Sequence, residues 1–163
     1  MNSIDSYKNE LGEIERENIT KIIPYGDSFL YIDKVLKLDK KTIVAAKEVR
    51  SNEYWVEGHF KGFPIMPGAL IVEGLGQAAT LLIRYNLEEH EKYDVLAYKI
   101  RSAKFFRPTF PGHTLRFEVK LVFKFRKIAL VNGTAFRNEK IVSKVRMMMA
   151  IVDKDIFRNK NKK

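Results

Sequence analysis

The sequence of 163 residues has no cysteine, three histidines and no long apolar run. Without cysteine, the chain cannot form a disulfide, a thiolate metal site or a cysteine nucleophile. The histidines, His59, His90 and His113, lie far apart and lack the H-x-x-x-H spacing, so we expect no metal site. No segment approaches the roughly 18 apolar residues that span a bilayer, and residues 1–18 are too polar for a signal peptide. These absences predict a cytoplasmic protein with no membrane segment.

The composition that remains is that of a basic globular chain. With 45% apolar and 12% aromatic residues, the chain is long enough to bury one core, and we expect a single domain over residues 1–163. Residues 1–21 read as a polar leader, and residues 154–163 as a solvated, frayed basic tail. The formal net charge of +10 predicts an acidic partner. Because the sequence has no helix-turn-helix, zinc-finger or RNP-like pattern, we expect an acidic carrier protein rather than nucleic acid.

Apolar periodicity and turn residues divide the chain into strands and one long helix. The predicted strands are residues 29–38, 42–49, 95–105, 114–125, 127–137 and 140–152, and the helix is residues 68–86. Apolar residues cover most of the helix circumference, so we expect it to be almost fully buried. Gly74 and Gly76 each cost the helix about 1 kcal/mol relative to alanine, which indicates that another backbone packs closely there. One long helix among about six antiparallel strands predicts an α+β fold whose sheet wraps the helix.

The start of this helix lacks a side-chain cap. Pro67 suits the first helical position, because its missing N–H would have no partner there. No Ser, Thr, Asp or Asn stands just before it, so the N–H groups of Gly68, Ala69 and Leu70 have no local acceptor. Two interpretations remain open. These donors form an oxyanion site for a ligand, or water and a neighbouring loop satisfy them.

Glu73 and His59 are the candidate acid and base near the helix start. Glu73 lies about 7.5 Å along the helix axis from Gly68, and helical side chains lean toward the N-terminus. The same carboxylate also begins a polar stripe typical of a solvated helix face, made of Glu73, Gln77, Thr80 and Arg84. His59 lies in an apolar loop with two prolines, where a neutral imidazole suits proton removal. A lone loop histidine is, however, more often structural or exposed.

Residues 58–73, with the sequence GHFKGFPIMPGALIVE, resemble the signature G-H-F-x-G-x-P-x-M-P-G-x-L-x-x-E of the β-hydroxyacyl-acyl carrier protein (ACP) dehydratases of fatty acid synthesis. A looser resemblance extends from about residue 22 to residue 153. It implies the hotdog fold and no cofactor. It implies that His59 acts as the base on C2 of a β-hydroxyacyl thioester, while Glu73 of the partner subunit assists departure of the C3 hydroxyl as water. The resemblance therefore also implies that a homodimer is obligatory for activity, and that three such dimers form one particle.

The resemblance assigns roles to further residues around this pair. The N–H of Gly68 would bind the thioester carbonyl, and Gln77 would support Glu73, with Pro67 shaping the helix start. The acyl tunnel that it implies is lined by Phe60, Ile65, Met66, Leu70, Leu96 and Tyr98. Residues 104–112 resemble a basic R-P-x-x-P-G stretch at the tunnel mouth. There Arg101, Lys104 and Arg107 would offer charges to phosphopantetheine and the acidic ACP.

Several positions depart from the family pattern. Lys61 stands where the family commonly has a proline, and Phe63 stands where it has a polar or charged residue. Residues 24–28 replace a P-H-R-Y-P-like segment of the family. Leu96 stands where some members have a gating tyrosine, with Tyr98 on the same predicted strand face. Acyl chain length, pathway and carrier therefore stay open. The alternatives are a dehydratase or thioesterase of this fold in a polyketide or specialised lipid pathway, an enzyme acting on CoA thioesters, and a non-catalytic module that binds a carrier.

Overall fold

A computed structural model describes residues 3–162, which form one antiparallel sheet and three α-helices. The strands are β1 (Ile14–Glu15), β2 (Lys34–Leu38), β3 (Thr42–Glu48), β4 (Tyr93–Phe105), β5 (Thr114–Phe125), β6 (Ile128–Arg137) and β7 (Lys140–Asp153). The helices are α1 (Arg16–Ile22), α2 (Gly68–Tyr85) and α3 (Lys154–Asn161). Short 3-10 helices occur at Ser3–Tyr7, Asp27–Phe29 and His90–Lys92. The α+β class predicted from the sequence is confirmed.

The seven strands of the described part follow the order β1-β2-β3-β5-β6-β7-β4, so β4 forms one edge of the sheet. The sequence predicts about six strands, and the additional one is the two-residue β1, which pairs with β2. Residues 29–33 differ from the prediction because they do not extend β2. The backbone groups of Phe29 and Tyr31 instead bind the side chain of Gln77 on α2, which removes them from any strand ladder.

Helix α2 packs against five strands, β3 to β7. Its apolar side chains at Leu75, Leu81, Leu82 and Ile83 are fully buried. Burial is incomplete in the first turn, where Ala69 is exposed and Leu70 is half-buried. The helix therefore anchors the core through its middle and C-terminal turns and leaves its N-terminus open. No helix within residues 3–162 is long and apolar enough to cross a bilayer.

The polar stripe of α2 is inside the protein. Gln77, Thr80 and Arg84 are at most 4% exposed, so the interpretation of this stripe as a solvated face is wrong for these three residues. Each has partners that offset desolvation. Thr80 donates to the carbonyl of Gly76, and the Arg84 guanidinium donates to the carbonyl of His90. Burial lowers the pKa of Arg84, against the opposite influence of Asp94.

Both terminal segments are more ordered than the sequence predicts. The polar leader contributes Ile4, Ile14 and Ile19 to the core, each with no exposed surface. At the other end, residues 154–161 form α3 rather than a frayed tail. The Asp153 carboxylate caps this helix by accepting from the N–H of Ile156 at 2.9 Å. Arg158 in α3 donates two hydrogen bonds to Asp94, and this ion pair ties the helix to β4.

The two interior glycines of α2 have different environments. A Cβ on Gly74 would lie 2.6 Å from a ring carbon of Phe117 on β5, whereas a Cβ on Gly76 would meet no atom within 4 Å. The expectation that another backbone packs closely at both glycines is therefore wrong. At Gly74 the close neighbour is an aromatic side chain, and at Gly76 there is open space.

We expect Gly74→Ala to lower the free energy of unfolding by about 1–3 kcal/mol, because the new methyl group would overlap the buried ring of Phe117. Gly76→Ala is the matched control and should raise it by up to about 1 kcal/mol, since alanine favours the helix and meets no clash. Urea denaturation of both variants measures the difference. Equal effects of the two substitutions would contradict this packing of α2 on β5.

Candidate active site

The loop that carries His59 is fastened to β3 by a buried ion pair. Lys47 on β3 is 2% exposed, and its ammonium group lies 2.9 Å from Oε1 of Glu53. The other carboxylate oxygen of Glu53 accepts from the indole N–H of Trp55 at 3.0 Å. The carbonyl of Trp55 then accepts from the backbone N–H of His59 at 2.8 Å. The sheet, through these contacts, sets the position of the histidine backbone.

The side chain of His59 has a defined tautomer. Its Nδ1 lies 2.7 Å from the carbonyl oxygen of Ile65. A carbonyl oxygen only accepts, so Nδ1 carries a hydrogen, and in the neutral tautomer Nε2 is the nitrogen with the lone pair. The next residue, Phe60, has φ +53°, an uncommon conformation for a residue with a side chain, and its ring meets the imidazole edge-on. The loop thus fixes the ring orientation and leaves Nε2 available to a ligand.

The N-terminus of α2 is uncapped, as the sequence predicts, but its details differ. Pro67 has extended ψ of 129° and precedes the helix, so Gly68 rather than Pro67 is the first helical residue. The N–H of Leu70 donates to the Pro67 carbonyl at 3.0 Å and is therefore not free. Among the described residues, no hydrogen bond engages the N–H groups of Gly68 or Ala69. Two unpaired donors remain at the positive end of the helix dipole.

These donors lie on a cavity of about 480 Å³ between the helix start and the segment that follows β4. The lining residues are Ile65, Met66, Gly68, Ala69, Ile71, Phe105, Phe106, Arg107, Pro108 and Thr109. The Met66 N–H donates to the Thr109 carbonyl at 2.7 Å and closes one wall. A Cβ on Gly68 would lie 2.7 Å from the Phe105 ring, so only glycine permits this wall to approach the helix. The cavity is mostly apolar, with backbone donors on one side.

Glu73 is held by a buried amide. Gln77 is 0% exposed, and its Oε1 accepts from the N–H of Tyr31 at 2.8 Å. This contact fixes which end of the amide donates, so Nε2 donates to the Phe29 carbonyl and to Oε1 of Glu73, both at 2.9 Å. The half-buried carboxylate of Glu73 therefore has a fixed orientation on the helix.

Two phenols near Glu73 stay protonated. Burial raises the pKa of Tyr25 above its ordinary value, and the charge of Glu73 adds to this increase. Burial also raises the pKa of Tyr31, whose hydroxyl donates to that of Tyr54 at 3.2 Å. Around Glu73, these rings supply neutral hydroxyl groups rather than competing charges.

The structure brings some predicted site residues together and separates others. Ile65, Met66, Gly68 and Arg107 share the cavity, and His59 is bound to its rim through Ile65. Within residues 3–162 of one protomer, no hydrogen bond joins His59 to Glu73. The predicted tunnel residues Phe60, Leu96 and Tyr98 are exposed and line no part of this cavity.

The predicted basic residues also separate. Arg107 lies on the cavity, while Arg101 and Lys104 are exposed on β4. A β-bulge between Ala97 and Lys99 leaves Tyr98 without a cross-strand partner, so it does not simply continue the face of Leu96. The described residues contain no cluster of His, Asp and Glu that could hold a metal ion.

Sequence reasoning missed the two supports of the site. The first is the clamp on Gln77 by the backbone of Phe29 and Tyr31. The second is the link from Lys47 through Glu53 to Trp55. Neither has a signal in sequence spacing, because both join segments that are distant or irregular. Phe105 and Thr109 lie in the basic stretch noted from the sequence, but only the fold brings them to Gly68.

Comparison with known proteins finds similar sequences over most of the chain. The FabA-like domain family matches residues 23–146. The 3-hydroxyacyl-(acyl-carrier-protein) dehydratase FabZ of Clostridium kluyveri is 39% identical over 142 residues, covering 85% of this chain and 96% of that protein. The enzyme of the same name from Solibacter usitatus is 33% identical over 142 residues, covering 87% and 88%.

Solved structures agree on the fold. The dehydratase heterocomplex ApeI:P from Xenorhabdus doucetiae aligns with a TM-score of 0.73 at 13% identity, over 88% of this chain and 97% of that one. A thioesterase from Haemophilus influenzae aligns with a TM-score of 0.65 at 18% identity, over 84% and 90%. The predicted hotdog fold and the predicted family are thus both confirmed. The chain belongs to the family of FabA-like domains, together with the FabZ 3-hydroxyacyl-(acyl-carrier-protein) dehydratases.

Proposed function

We propose that this protein dehydrates 3-hydroxyacyl-ACP to trans-2-enoyl-ACP in the synthesis of fatty acids or related acyl chains. The observation that carries the proposal is the uncapped start of α2, where Gly68 and Ala69, whose N–H groups have no hydrogen-bond partner among the described residues, line the cavity beside the histidine loop. The identity of 33–39% to FabZ enzymes over most of the chain supports the same reaction. No cofactor enters the proposed chemistry.

The first step of the proposed mechanism removes a proton from C2 of the thioester. His59 Nε2 is the base, since Nδ1–H is engaged by the Ile65 carbonyl and holds the ring in place. As the C2–H bond breaks, negative charge moves to the thioester oxygen. The N–H groups of Gly68 and Ala69 stabilise that charge, because they are already oriented and need no rearrangement.

The second step expels the hydroxyl group from C3. The electron pair returns from the enolate to form the C2=C3 double bond while the C3–O bond breaks. Glu73 of the partner subunit, in its protonated form, gives the proton that turns the leaving hydroxyl into water. Gln77 holds that carboxyl group in position through the hydrogen bond at 2.9 Å. We assign Glu73 to the partner because the resemblance to the β-hydroxyacyl-ACP dehydratases implies this arrangement.

The edge strand β4 supports a dimer. It is thirteen residues long, and its residues from Leu96 to Phe105 are all exposed. Tyr98 and Ile100 are 66% and 51% exposed. A long, unpaired strand edge that exposes such apolar side chains favours pairing with another chain. We propose that β4 pairs with β4 of a second copy and that particles of three such dimers form.

The same pairing would complete the acyl tunnel. Ile65 and Met66 line the cavity of one protomer, with Leu70 half-buried beside it. We propose that the exposed residues Phe60, Leu96 and Tyr98 are covered when the second protomer closes this space. Pro67 fixes the turn before α2, and Arg107 lies at the opening, where it meets the phosphopantetheine arm of the carrier.

We expect His59→Asn and Glu73→Gln each to lower kcat for 3-hydroxyacyl-ACP by about 10²–10⁴-fold, because each removes a group that transfers a proton. Both replacements nearly keep side-chain volume, so circular dichroism spectra and thermal unfolding should stay close to wild type. Formation of the enoyl product from substrates of several chain lengths, followed by absorbance or mass, measures the effect. A variant that retains normal turnover would remove its residue from the mechanism.

Mixing the two inactive variants should restore part of the activity. If each site combines His59 of one subunit with Glu73 of the other, a heterodimer carries one intact site and one doubly altered site. Activity should then rise toward about half of the wild-type value per heterodimer. Subunit exchange is verified by native mass spectrometry of the mixture. Absence of recovery after verified exchange would refute the shared site.

We expect turnover of ACP-bound substrates to exceed that of the matching CoA thioesters at low salt, with an advantage that shrinks as salt is added. The physical reason is the net charge of +10, whose attraction for an acidic carrier is screened over about 8 Å at physiological ionic strength. Arg107→Ala should raise KM for the ACP substrate more than it changes kcat. Lys40→Ala, at the exposed β2–β3 turn, is the control of equal charge change. Equal turnover of both carriers at low salt would refute the carrier assignment.

A further inference from the structure

The hairpin between β5 and β6 ends in residues that are apolar, basic and exposed. We call residues 122–127, with the sequence VFKFRK, the hairpin tip, and all six are exposed to solvent. Val122 and Phe123 are each 45% exposed, and Phe125 is 66% exposed. The other three residues are the cations Lys124, Arg126 and Lys127. Contiguous exposed apolar side chains mark surfaces that contact a protein or a membrane.

The hairpin tip extends beyond the neighbouring strand. Pairing of β5 with β3 ends at Lys120 and Thr42, and the N–H of Leu121 then donates to the carbonyl of Lys41 at 2.9 Å. The four residues of β5 after Leu121 reach about 13 Å further, at 3.3 Å per residue. Strand β7 lies between this hairpin and the edge strand β4. The proposed pairing of β4 with a second copy therefore does not involve the tip.

The aromatic rings of the tip lie on the outer face of the sheet. Phe123 pairs with Leu130, and Phe125 pairs with Ile128. Residues paired across antiparallel strands share a face, and Ala129, between the two partners, belongs to the core on the other face. A depression of about 780 Å³ beside the rings is lined by Phe123, Phe125, Arg126, Lys127 and Ile128. Apolar side chains with two cations beside them therefore form one continuous surface.

The positive charge of the tip has no acidic counterpart. Residues 119–138 contain no Asp or Glu, and no ion pair within residues 3–162 engages Lys124, Arg126 or Lys127. The guanidinium carbon of Arg126 instead lies 5.2 Å from the ring centroid of Phe125. Arg126 also has φ +50°, a turn conformation that glycine or asparagine adopts more easily. Folding alone thus does not favour arginine here, whereas an anionic partner does.

We propose that the hairpin tip binds the surface of a membrane that contains anionic lipid. At such a surface, phenylalanine rings enter the boundary between headgroups and acyl chains, while lysine and arginine keep their charges at the lipid phosphates. Peripheral elements enter this boundary to a depth of about 5–10 Å, which is less than the length of the projecting strand end. The contact is peripheral, and no segment spans the bilayer.

A lipid surface suits the tip better than nucleic acid does. Nucleic-acid bases stack on aromatic faces, but the exposed apolar set also contains the aliphatic Val122 and the half-buried Ile128. Acyl chains pack against aliphatic and aromatic side chains alike. The two residues of the turn, Arg126 and Lys127, are both cations, which suits a layer of phosphates beside an apolar phase.

The hairpin tip lies at the other end of the sheet from the cavity of the proposed reaction. Ile128, next to the tip, pairs with Ala150, and Ala150 pairs with Leu96 near the start of β4. Phe105, which closes the cavity, is the last residue of that strand. The nine residues from Leu96 to Phe105 span about 30 Å. The proposal therefore goes beyond the proposed reaction and does not depend on it.

Flotation of the full chain with lipid vesicles tests the charge part of the proposal. The vesicles contain phosphatidylcholine alone or phosphatidylcholine mixed with phosphatidylglycerol, and we expect at least about tenfold tighter binding to the mixed vesicles. Arg126→Glu/Lys127→Glu should weaken that binding at least about tenfold, because two attractions become repulsions. The matched control is Lys21→Glu/Lys140→Glu, which changes the net charge equally at exposed positions on α1 and at the opposite end of the β6–β7 pair. It should bind within about threefold of wild type.

Tryptophan fluorescence tests whether the tip enters the lipid. The emission of Phe125→Trp should shift to shorter wavelength with the mixed vesicles, because the indole leaves water. Trp55 is 4% exposed and adds a constant background. Leu11→Trp, at a side chain that is 80% exposed, is the control and should show no shift. Phe123→Ser/Phe125→Ser should weaken vesicle binding at least about fivefold, since two apolar anchors are lost.

Four outcomes would overturn the proposal. An unshifted emission of Phe125→Trp would mean that the tip stays in water. Equal loss in Lys21→Glu/Lys140→Glu would mean that net charge, not the tip, controls vesicle binding. Tighter binding of a single-stranded oligonucleotide, lost in Arg126→Glu/Lys127→Glu, would assign the tip to nucleic acid. A smaller particle of Phe123→Ser/Phe125→Ser in light scattering would make the tip a contact between copies. Circular dichroism and thermal unfolding verify that each variant is folded.

Discussion

A single buried amide connects the core of this protein to its chemistry. Gln77 lies in the middle of the helix that the sheet encloses, and it has no exposed surface. Leaving such a group without partners would cost roughly 1–3 kcal/mol, so its surroundings are built to satisfy it. The partners are the backbone of Phe29 and Tyr31 on one side and the carboxylate of Glu73 on the other. The hydrogen bonds that satisfy Gln77 in the core thus also fix the orientation of Glu73.

The histidine side of the site depends on a second buried polar link. The ion pair of Lys47 and Glu53 is only slightly exposed, and removal of one partner from such a pair typically costs about 3–5 kcal/mol. Its second role is geometric, because Glu53 also holds Trp55, whose carbonyl binds the N–H of His59. An irregular loop with glycines and prolines would otherwise sample many conformations. Short polar links therefore connect the rigid strands and helix to both functional side chains, His59 and Glu73.

Two surfaces of the protein conflict with the stability of an isolated protomer. The exposed edge of β4 leaves apolar side chains such as Tyr98 and Ile100 in water. The opposed pair of Lys104 and Lys144 places like charges side by side. Local rules of folding are most often broken where function requires it. In our proposal the first conflict is relieved by association with a second copy of the chain.

The sequence by itself determined six of the seven strands, the position of α2, and the identity of the histidine and glutamate motif. These features depend on local patterns: the alternation in β5, the apolar run of α2, and the spacing of His59, Gly68 and Glu73. The burial of the polar stripe at Thr80 and Arg84 could not be read from the same patterns, since a buried and a solvated polar stripe have the same periodicity.

Only the tertiary structure decided where each pattern lies in space. It showed that Phe117 rather than a backbone meets Gly74, and that Phe105 closes a cavity on Gly68 while Lys104 faces away. It also showed that the terminal basic residues form α3, which the ion pair of Arg158 and Asp94 ties to β4. These contacts join residues far apart in sequence. Their energies come from packing and from pairing of buried polar groups, and no local sequence signal specifies which distant group will be the partner.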